Sequence, residues 1–213
     1  MFNTGIDLQQ VITKTLETEA EAILAYARQV DDSIARAAQM IHAHCQAPLI
    51  VAGIGKSGHI ARKIAATFCS LGKPAIHLHA TEASHGDLGI VGRDSVVLTL
   101  SNSGETAELS DLLHYCRIHG IATIGLTSAR TSTLARMSDI VIAYGRVREA
   151  CVHGLAPTTS TTLSLAIGDA LAVTVSRMMK MTPEDFRRSH PGGSLGGTVK
   201  ETAAAPVALQ MVR

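Results

Sequence analysis

The sequence predicts an α/β protein, a three-layer α/β/α sandwich built on a five-stranded parallel sheet. Three observations carry that expectation. Short, almost wholly apolar runs recur along the middle of the chain, as at 49–52 and 95–100, and strands of that kind are buried on both faces of a parallel sheet. Between them lie stretches with apolar residues at helical spacing, such as Ile60, Ile64 and Phe68, which supply the crossovers that parallel strands need. Glycine and hydroxyl residues gather where the runs end, the punctuation of strand-to-helix turns.

Leu8, Val11, Ile12, Leu16, Ile23 and Leu24 place an amphipathic helix over 7–27. A second helix over 33–44 shows Ile34, Ala37, Ala38 and Ile41 on one face, and Pro48 ends that stretch. Two helices ahead of a sheet need a surface to cover, either on this domain or on another subunit. Strand one, ending at Gly53, and its crossover helix lead to strand two at 74–79, then to a long polar loop over 80–89. Strand three (95–100), a helix carrying Leu109, Leu112 and Leu113, strand four (121–126), a short helix at 134–137 and strand five (140–143) complete the sheet. Segment 146–162 breaks this rhythm. Its hydroxyl run, Thr158 to Thr162, reads equally as a ligand-facing group or as the cap of a long alanine-rich helix over 163–180. One more helical turn at 183–186 precedes a glycine-rich loop, 190–197, and a weakly patterned end, 203–213.

Composition narrows the function classes. The chain of 213 residues fits one domain with a full core, and with 46% hydrophobic but only 3% aromatic residues that core must be built from Ala, Ile, Leu and Val. A net charge of +1 gives no electrostatic case for a nucleic acid or an anionic membrane as partner. No apolar run approaches the ~18 residues of a membrane span, and the first ten residues lack a signal-peptide core, so a cytoplasmic protein is expected. Cys45, Cys69, Cys116 and Cys151 form no CxxC pair and are expected to be small core thiols.

Two loops look built for an anion. In the first, Gly53-Ile54-Gly55-Lys56-Ser57-Gly58, glycines let the backbone approach a ligand while a new helix directs unpaired N–H groups and its positive dipole end to the same place. A Walker A loop would need glycine at Ile50, which excludes that motif. The dinucleotide fingerprint GxGxxG does match at Gly53, Gly55 and Gly58, but the acidic residue expected at the tip of the next strand is absent, since that strand ends His77-Leu78-His79. The second loop, Ser101-Asn102-Ser103-Gly104-Glu105-Thr106, puts three hydroxyls at the end of a central strand, where they can surround a phosphate monoester. Gly55, Ser57, Ser101, Asn102, Ser103 and Thr106 are therefore the candidate phosphate-binding residues.

These two loops, together with Glu149-Ala150-Cys151, Gly154-Leu155-Ala156-Pro157-Thr158 and His190-Pro191-Gly192-Gly193, resemble the SIS (sugar isomerase) domain. Within it the chain is most similar to the arabinose 5-phosphate isomerases, down to Ala80-Thr81-Glu82-Ala83-Ser84-His85-Gly86-Asp87-Leu88-Gly89. The resemblance runs from about residue 8 to Gly196. It implies a flavodoxin- or Rossmann-like SIS domain over 1–200, with 201–213 a short tail or the cut linker to absent CBS modules. It implies interconversion of D-ribulose 5-phosphate and D-arabinose 5-phosphate, feeding synthesis of the lipopolysaccharide sugar Kdo, in a homotetramer whose sites are shared between subunits. By position it implies catalytic roles for Lys56, Glu108, Glu149 and His190.

Aldose–ketose isomerisation moves a proton between C1 and C2 through an enediol(ate), so no cofactor is called for. Glu149 is assigned the carbon proton, and His190 ring opening or the oxygen protons. Lys56 is assigned charge beside the oxyanion or phosphate, and Glu108 either a second acid–base role or the orienting of Lys56. His85 is read as substrate-facing. His79 and His85, with a carboxylate, make a candidate for adventitious metal binding, though no metal is required. His42, His44, His114 and His119 are expected to be solvated helix residues. The alternatives are isomerisation of another sugar phosphate and a non-catalytic sugar-phosphate sensor.

Overall fold

A computed structural model of the protein describes residues 6–191. The expected strands appear as β1 (Leu49–Gly53), β2 (Ala75–His79), β3 (Val96–Leu100), β4 (Ala122–Thr127) and β5 (Ile140–Ala143). They pair in parallel throughout, in the order β2-β1-β3-β4-β5. β1 and β3 are buried along their whole length, as their unbroken apolar runs require.

Among the described residues, eight helices flank the sheet: α1 (Leu8–Arg28), α2 (Ser33–Ala43), α3 (Gly55–Ser70), α4 (Ala80–Ala83), α5 (Ser110–His119), α6 (Thr133–Met137), α7 (Thr159–Met178) and α8 (Pro183–Ser189). The main core lies on one face of the sheet, where Ile41, Ile64, Phe68, Leu163, Ile167, Leu171 and Val175 close over Val51, Leu98 and Ile124. A second core, with Leu112 and Cys116 from α5, covers the other face at Ile50 and Val97. No single helix among the described residues is long and apolar enough to cross a membrane.

The relation of α3 to α7 sets the geometry of the functional end. Gly168 sits so close to Ile64 that a Cβ there would overlap the isoleucine Cδ1 and Cγ1. Lys63 Nζ pairs with Asp169 at 2.6 Å, and farther on Gly72 meets Met181. Contacts that advance together along both segments mean that the two helices run parallel. Their N-termini therefore lie at one end of the molecule, and because α3 starts where β1 stops, that end is the carboxyl end of the strands.

Four expectations are corrected. Stretch 80–89 is not an open loop: Ala80 and Ala83 are buried and wind it into α4, followed by a 3₁₀ turn at Asp87–Ile90. The hydroxyl run at Thr158–Thr162 does not cap α7 with its own side chains, since the helix starts inside it and Thr158 makes no capping bond. Of the four cysteines only Cys116 is buried, Cys69 being exposed and Cys45 and Cys151 half-buried. His42 and His44 are half-buried rather than solvated, and His44 Nδ1 bonds the Met40 carbonyl at 2.9 Å beyond the end of α2. The loop after Pro191 and the tail at 201–213 lie outside the described residues.

Lys73 closes the opposite end of the sheet. It is only 1% exposed, and its Nζ donates to the carbonyls of His44, at 2.8 Å, and of Ala47. Both acceptors follow α2; the His44 carbonyl also takes the Ala47 N–H at 3.3 Å, whereas that of Ala47 has Lys73 as its one partner among the described residues. Burial holds the Lys73 amine below its ordinary value of 10.5. The unfolded chain then binds more protons than the folded one in the interval below 10.5, so stability rises with pH across it. Lys73→Met is expected to lower unfolding free energy at neutral pH by about 1–3 kcal/mol, the cost of stripping donors from buried acceptors. It should also flatten the alkaline limb, and urea denaturation over a pH series measures both.

Candidate active site

Two walls rise from the point where the sheet changes direction. β1 and β3 are neighbours with Gly53 level with Leu100, while the chain leaves β1 toward β2 on one side and β3 toward β4 on the other. The loops that follow diverge and leave a crevice, the place where open α/β sheets bind ligands.

The first wall is the turn into α3. Gly55 opens the helix at φ +57°, a conformation that favours glycine. Gly53 and Gly58 are needed for close approach: a Cβ on Gly53 would come within 2.9 Å of the Ser57 carbonyl, and one on Gly58 within 2.8 Å of the Gly53 oxygen. Pressed onto the strand in this way, the first turn of α3 aims its unbonded N–H groups at the crevice. Lys56 is exposed there and Ser57 half-buried.

The second wall is braced from every side. Ser101 Oγ accepts the Gly104 N–H at 3.0 Å and meets Thr106 Oγ1 at 2.7 Å, while Ser103 Oγ accepts the Glu105 N–H at 3.2 Å. The Asn102 carbonyl accepts the Ser128 N–H (3.0 Å), the Ser128 hydroxyl (2.7 Å) and the Thr127 hydroxyl (3.2 Å). Glu105 takes the Thr133 N–H at the start of α6, at 2.9 Å. Gly104 stands at φ +70°, and a Cβ there would overlap the Ser132 side chain. Donors fixed before a ligand arrives lose little freedom on binding it.

Glu149 reaches the same end of the molecule from the other side. Its Oε2 accepts the Thr158 N–H at 2.8 Å, the Thr158 hydroxyl at 3.1 Å and the Ser160 N–H at 3.2 Å, so this carboxylate supplies the cap that the hydroxyl run does not. Burial works to raise the Glu149 carboxyl, but the hydrogen bonds from Ser160 and Thr158 outweigh it and hold it below the ordinary range. The side chain is thus ionised at neutral pH. It lines a cavity of about 360 Å³ between segment Arg148 to Val152 and α1.

Glu108 is exposed in a 3₁₀ turn, Ala107–Leu109, whose Leu109 packs with Ala80 and Leu134 in a small cluster that Ile54 abuts. That contact sets the turn beside the first wall, yet no salt bridge joins Glu108 to Lys56 among the described residues. His79 ends β2 and His85 follows α4, both exposed at the strand carboxyl ends. Among the described residues no group of three His, Cys, Asp or Glu forms a metal-holding cluster, so this pair gains no third ligand.

His190 is elsewhere. It ends α8, stacked on Phe186 with ring centroids 4.0 Å apart, and its Nδ1 lies 2.9 Å from the Phe186 carbonyl. A carbonyl only accepts, so Nδ1 carries the proton and Nε2 is the basic nitrogen. Asp185, Arg188 and Ser189 of α8 line a cavity together with Cys69, Gly72 and Pro74, at the amino end of the strands. The 20 residues of α7 separate it from Glu149 by about 30 Å within one chain. One residue escaped the sequence reading altogether: Tyr144, buried after β5, donates its hydroxyl to Asn102 Oδ1 at 2.7 Å.

Two outcomes follow from this geometry. Gly104→Ala forces an alanine into the left-handed region and against Ser132, and is expected to cost about 2 kcal/mol or more in thermal or chemical melts. The Glu149 cap contributes fully above the ordinary carboxyl value of 4.5 and is lost as pH falls through its lower folded value. Glu149→Gln should therefore be less stable than the parent at neutral pH and converge with it in acid, as melting curves at stepped pH would read.

Comparison with known proteins agrees with the fold. The SIS domain model matches residues 42–174. The arabinose 5-phosphate isomerase KdsD of Yersinia pestis is 44% identical over 90% of this chain and 58% of its own length. The KdsD of Pseudomonas aeruginosa PAO1 is 41% identical over 92% of this chain and 60% of its own. The chain thus spans about three fifths of the length of these curated relatives. Among solved structures, E. coli CFT073 c3406 in complex with arabinose 5-phosphate superposes with a TM-score of 0.84 at 40% identity, covering 90% of this chain and 100% of that one. With the model match spanning more than half its length, and with the sheet, crevice and loops described above, the chain belongs to the SIS domain family.

Proposed function

We propose that this chain is an aldose–ketose isomerase interconverting D-ribulose 5-phosphate and D-arabinose 5-phosphate, in the cytoplasm, as a supplier of Kdo and lipopolysaccharide synthesis. The observation that carries the reading is the crevice: two preorganised anion walls at the switch point, with an ionised carboxylate at the same end of the molecule. The KdsD relatives and the arabinose 5-phosphate complex of c3406 support the choice of substrate.

In this reading the phosphate sits between the N–H groups of the first turn of α3 and the hydroxyls of Ser57, Ser101, Ser103 and Thr106. Lys56 adds positive charge at the rim. Glu149 carries the proton between C1 and C2, its Oε1 being the oxygen that the α7 cap leaves for the work. The proton leaves one carbon and returns to the other, so the step is redox-neutral overall. Positive charge from Lys56 steadies the enediolate oxygen, while Glu108 acts as a second acid–base group or orients Lys56. His85 stands at the strand ends beside these groups.

His190 serves a site other than its own chain's, because α7 holds it away from Glu149. The chain offers a surface for the second copy. α1 has no buried residue and shows a row of exposed Leu8, Ile12 and Leu16, while Val152, which lines the cavity beside Glu149, and Leu155 are 88% and 83% exposed. Unpartnered apolar surface of this kind marks an interaction site. The reading therefore includes a homotetramer with sites shared between subunits.

The test is turnover after EDTA treatment, with arabinose 5-phosphate run beside ribose 5-phosphate and glucose 6-phosphate. Selective conversion of arabinose 5-phosphate is expected. Tight binding without turnover would instead make the domain a sensor. Glu149→Gln and His190→Asn are each expected to lower kcat by about 100-fold or more. Co-expressed, the two variants should recover activity that neither has alone, and no recovery would place the two residues' roles within one subunit.

A further inference from the structure

Behind the second wall lies a side chain that the reaction as described does not use. Tyr144 follows β5, and its N–H is fixed to the Thr127 carbonyl at 3.1 Å. Only 5% exposed, it packs in the main core and ends on Asn102, where its hydroxyl meets Oδ1 at 2.7 Å. The Asn102 backbone is already tied to Thr127 and Ser128 at the end of β4. Its side chain is exposed, and Tyr144 is its one hydrogen-bond partner among the described residues.

We propose that Tyr144 is a positioning residue for the phosphate crevice: its hydroxyl holds Asn102 Oδ1 inward and so turns the Nδ2 amide donors toward the bound oxyanion. The physical need is plain. The terminal torsion of asparagine is broad and nearly twofold, so a free Asn102 presents oxygen and nitrogen to the crevice about equally. An oxygen turned outward repels a phosphate, and a nitrogen turned outward binds it. A donor fixed behind the side chain selects the second arrangement. Tyr144 stays a donor, since burial, reinforced by the Glu149 charge against the Ser164 hydrogen bond, raises its phenol above the ordinary value.

The proposal rests on the crevice being the phosphate site, and its test is chosen to separate the two. Inorganic phosphate binding is measured by calorimetry on the parent protein, Y144F, N102A and the double variant. Y144F keeps the ring in the core and removes only the hydroxyl. It should weaken phosphate about threefold to tenfold, the range of one neutral hydrogen bond. N102A should lose at least as much, and the double variant no more than N102A, because both act through one contact. With arabinose 5-phosphate, KM should rise by the same factor in Y144F with kcat unchanged, a split that general loosening of the core would not give.

Equal phosphate affinity in the parent and Y144F overturns the proposal. So do losses that multiply in the double variant, or an N102A that binds like the parent. N102A alters an exposed side chain, so it judges the proposal even where Y144F melts early. A parent protein that binds phosphate but does not isomerise arabinose 5-phosphate sinks the isomerase reading and leaves the affinity series to decide on Tyr144. A parent that binds no phosphate overturns both.

Discussion

The contact of Gly168 with Ile64 is the constraint on which the functional end depends. Because no Cβ stands between them, α7 lies directly on α3, and the ion pair of Lys63 with Asp169 joins the two helices at the same level. That register levels the two N-termini. The first exposes the amides of the anion turn, and the second binds the Glu149 carboxylate. Leu163, Ile167, Leu171 and Val175 then seal α7 over the sheet, each buried side chain contributing roughly 1.5–3 kcal/mol of apolar transfer. Helix packing, usually a matter of stability, here decides which charges meet.

Much of this was legible in the sequence, and the limits are instructive. The strands read correctly because a parallel strand buried on both faces leaves an unbroken apolar run, as at Val96–Leu100. The two strand-to-helix turns at Gly53–Gly58 and Ser101–Thr106 read correctly as turns because a loop's own residues build each of them. What failed were side-chain roles that depend on a partner outside the stretch being read. The cap of α7 was sought in Thr158 to Thr162 and is supplied by Glu149, nine residues before Thr158. Stretch 80–89 looked open because its polar composition hides Ala80 and Ala83, which two different clusters bury. Tyr144 left no trace, since its role exists only through a bond to Asn102, 42 residues away.

The glycine fingerprint shows how one local geometry serves different ligands. Gly53 and Gly58 bring the start of α3 against the end of β1, a requirement of helix–strand packing that says nothing about what binds. A dinucleotide needs in addition an acidic group at the tip of the neighbouring strand to take the ribose. Here β2 ends in His79, and Glu82 lies beyond it within α4. The other wall decides the matter differently. The loop from Ser101 to Thr106 turns back on itself around Gly104, and the Ser101 and Thr106 hydroxyls meet at 2.7 Å. A converging set of that size suits one compact phosphate better than an extended pyrophosphate.

A carboxylate with a depressed pKa is a reluctant base, and this bears on why the proposed chemistry needs a second group. Held by Thr158 and Ser160, Glu149 is ionised and in place but binds a proton weakly, so it gains little by taking one from carbon unless the oxygen's charge is neutralised in the same step. An imidazole with an unbonded Nε2, such as His190 presents, can exchange a proton with the substrate oxygens and so supply that partnership. Yet α7, the helix whose N-terminus steadies Glu149, is also the spacer that carries His190 to the other end of the sheet. The same element that prepares the base removes its partner, and no local motion of α8 spans a helix of that length. In the proposed isomerase the exposed apolar row of α1 and the exposed Val152 and Leu155 are then part of the catalytic apparatus. They bring a second chain's α8 within reach of Glu149, so that assembly and acid–base pairing become one event.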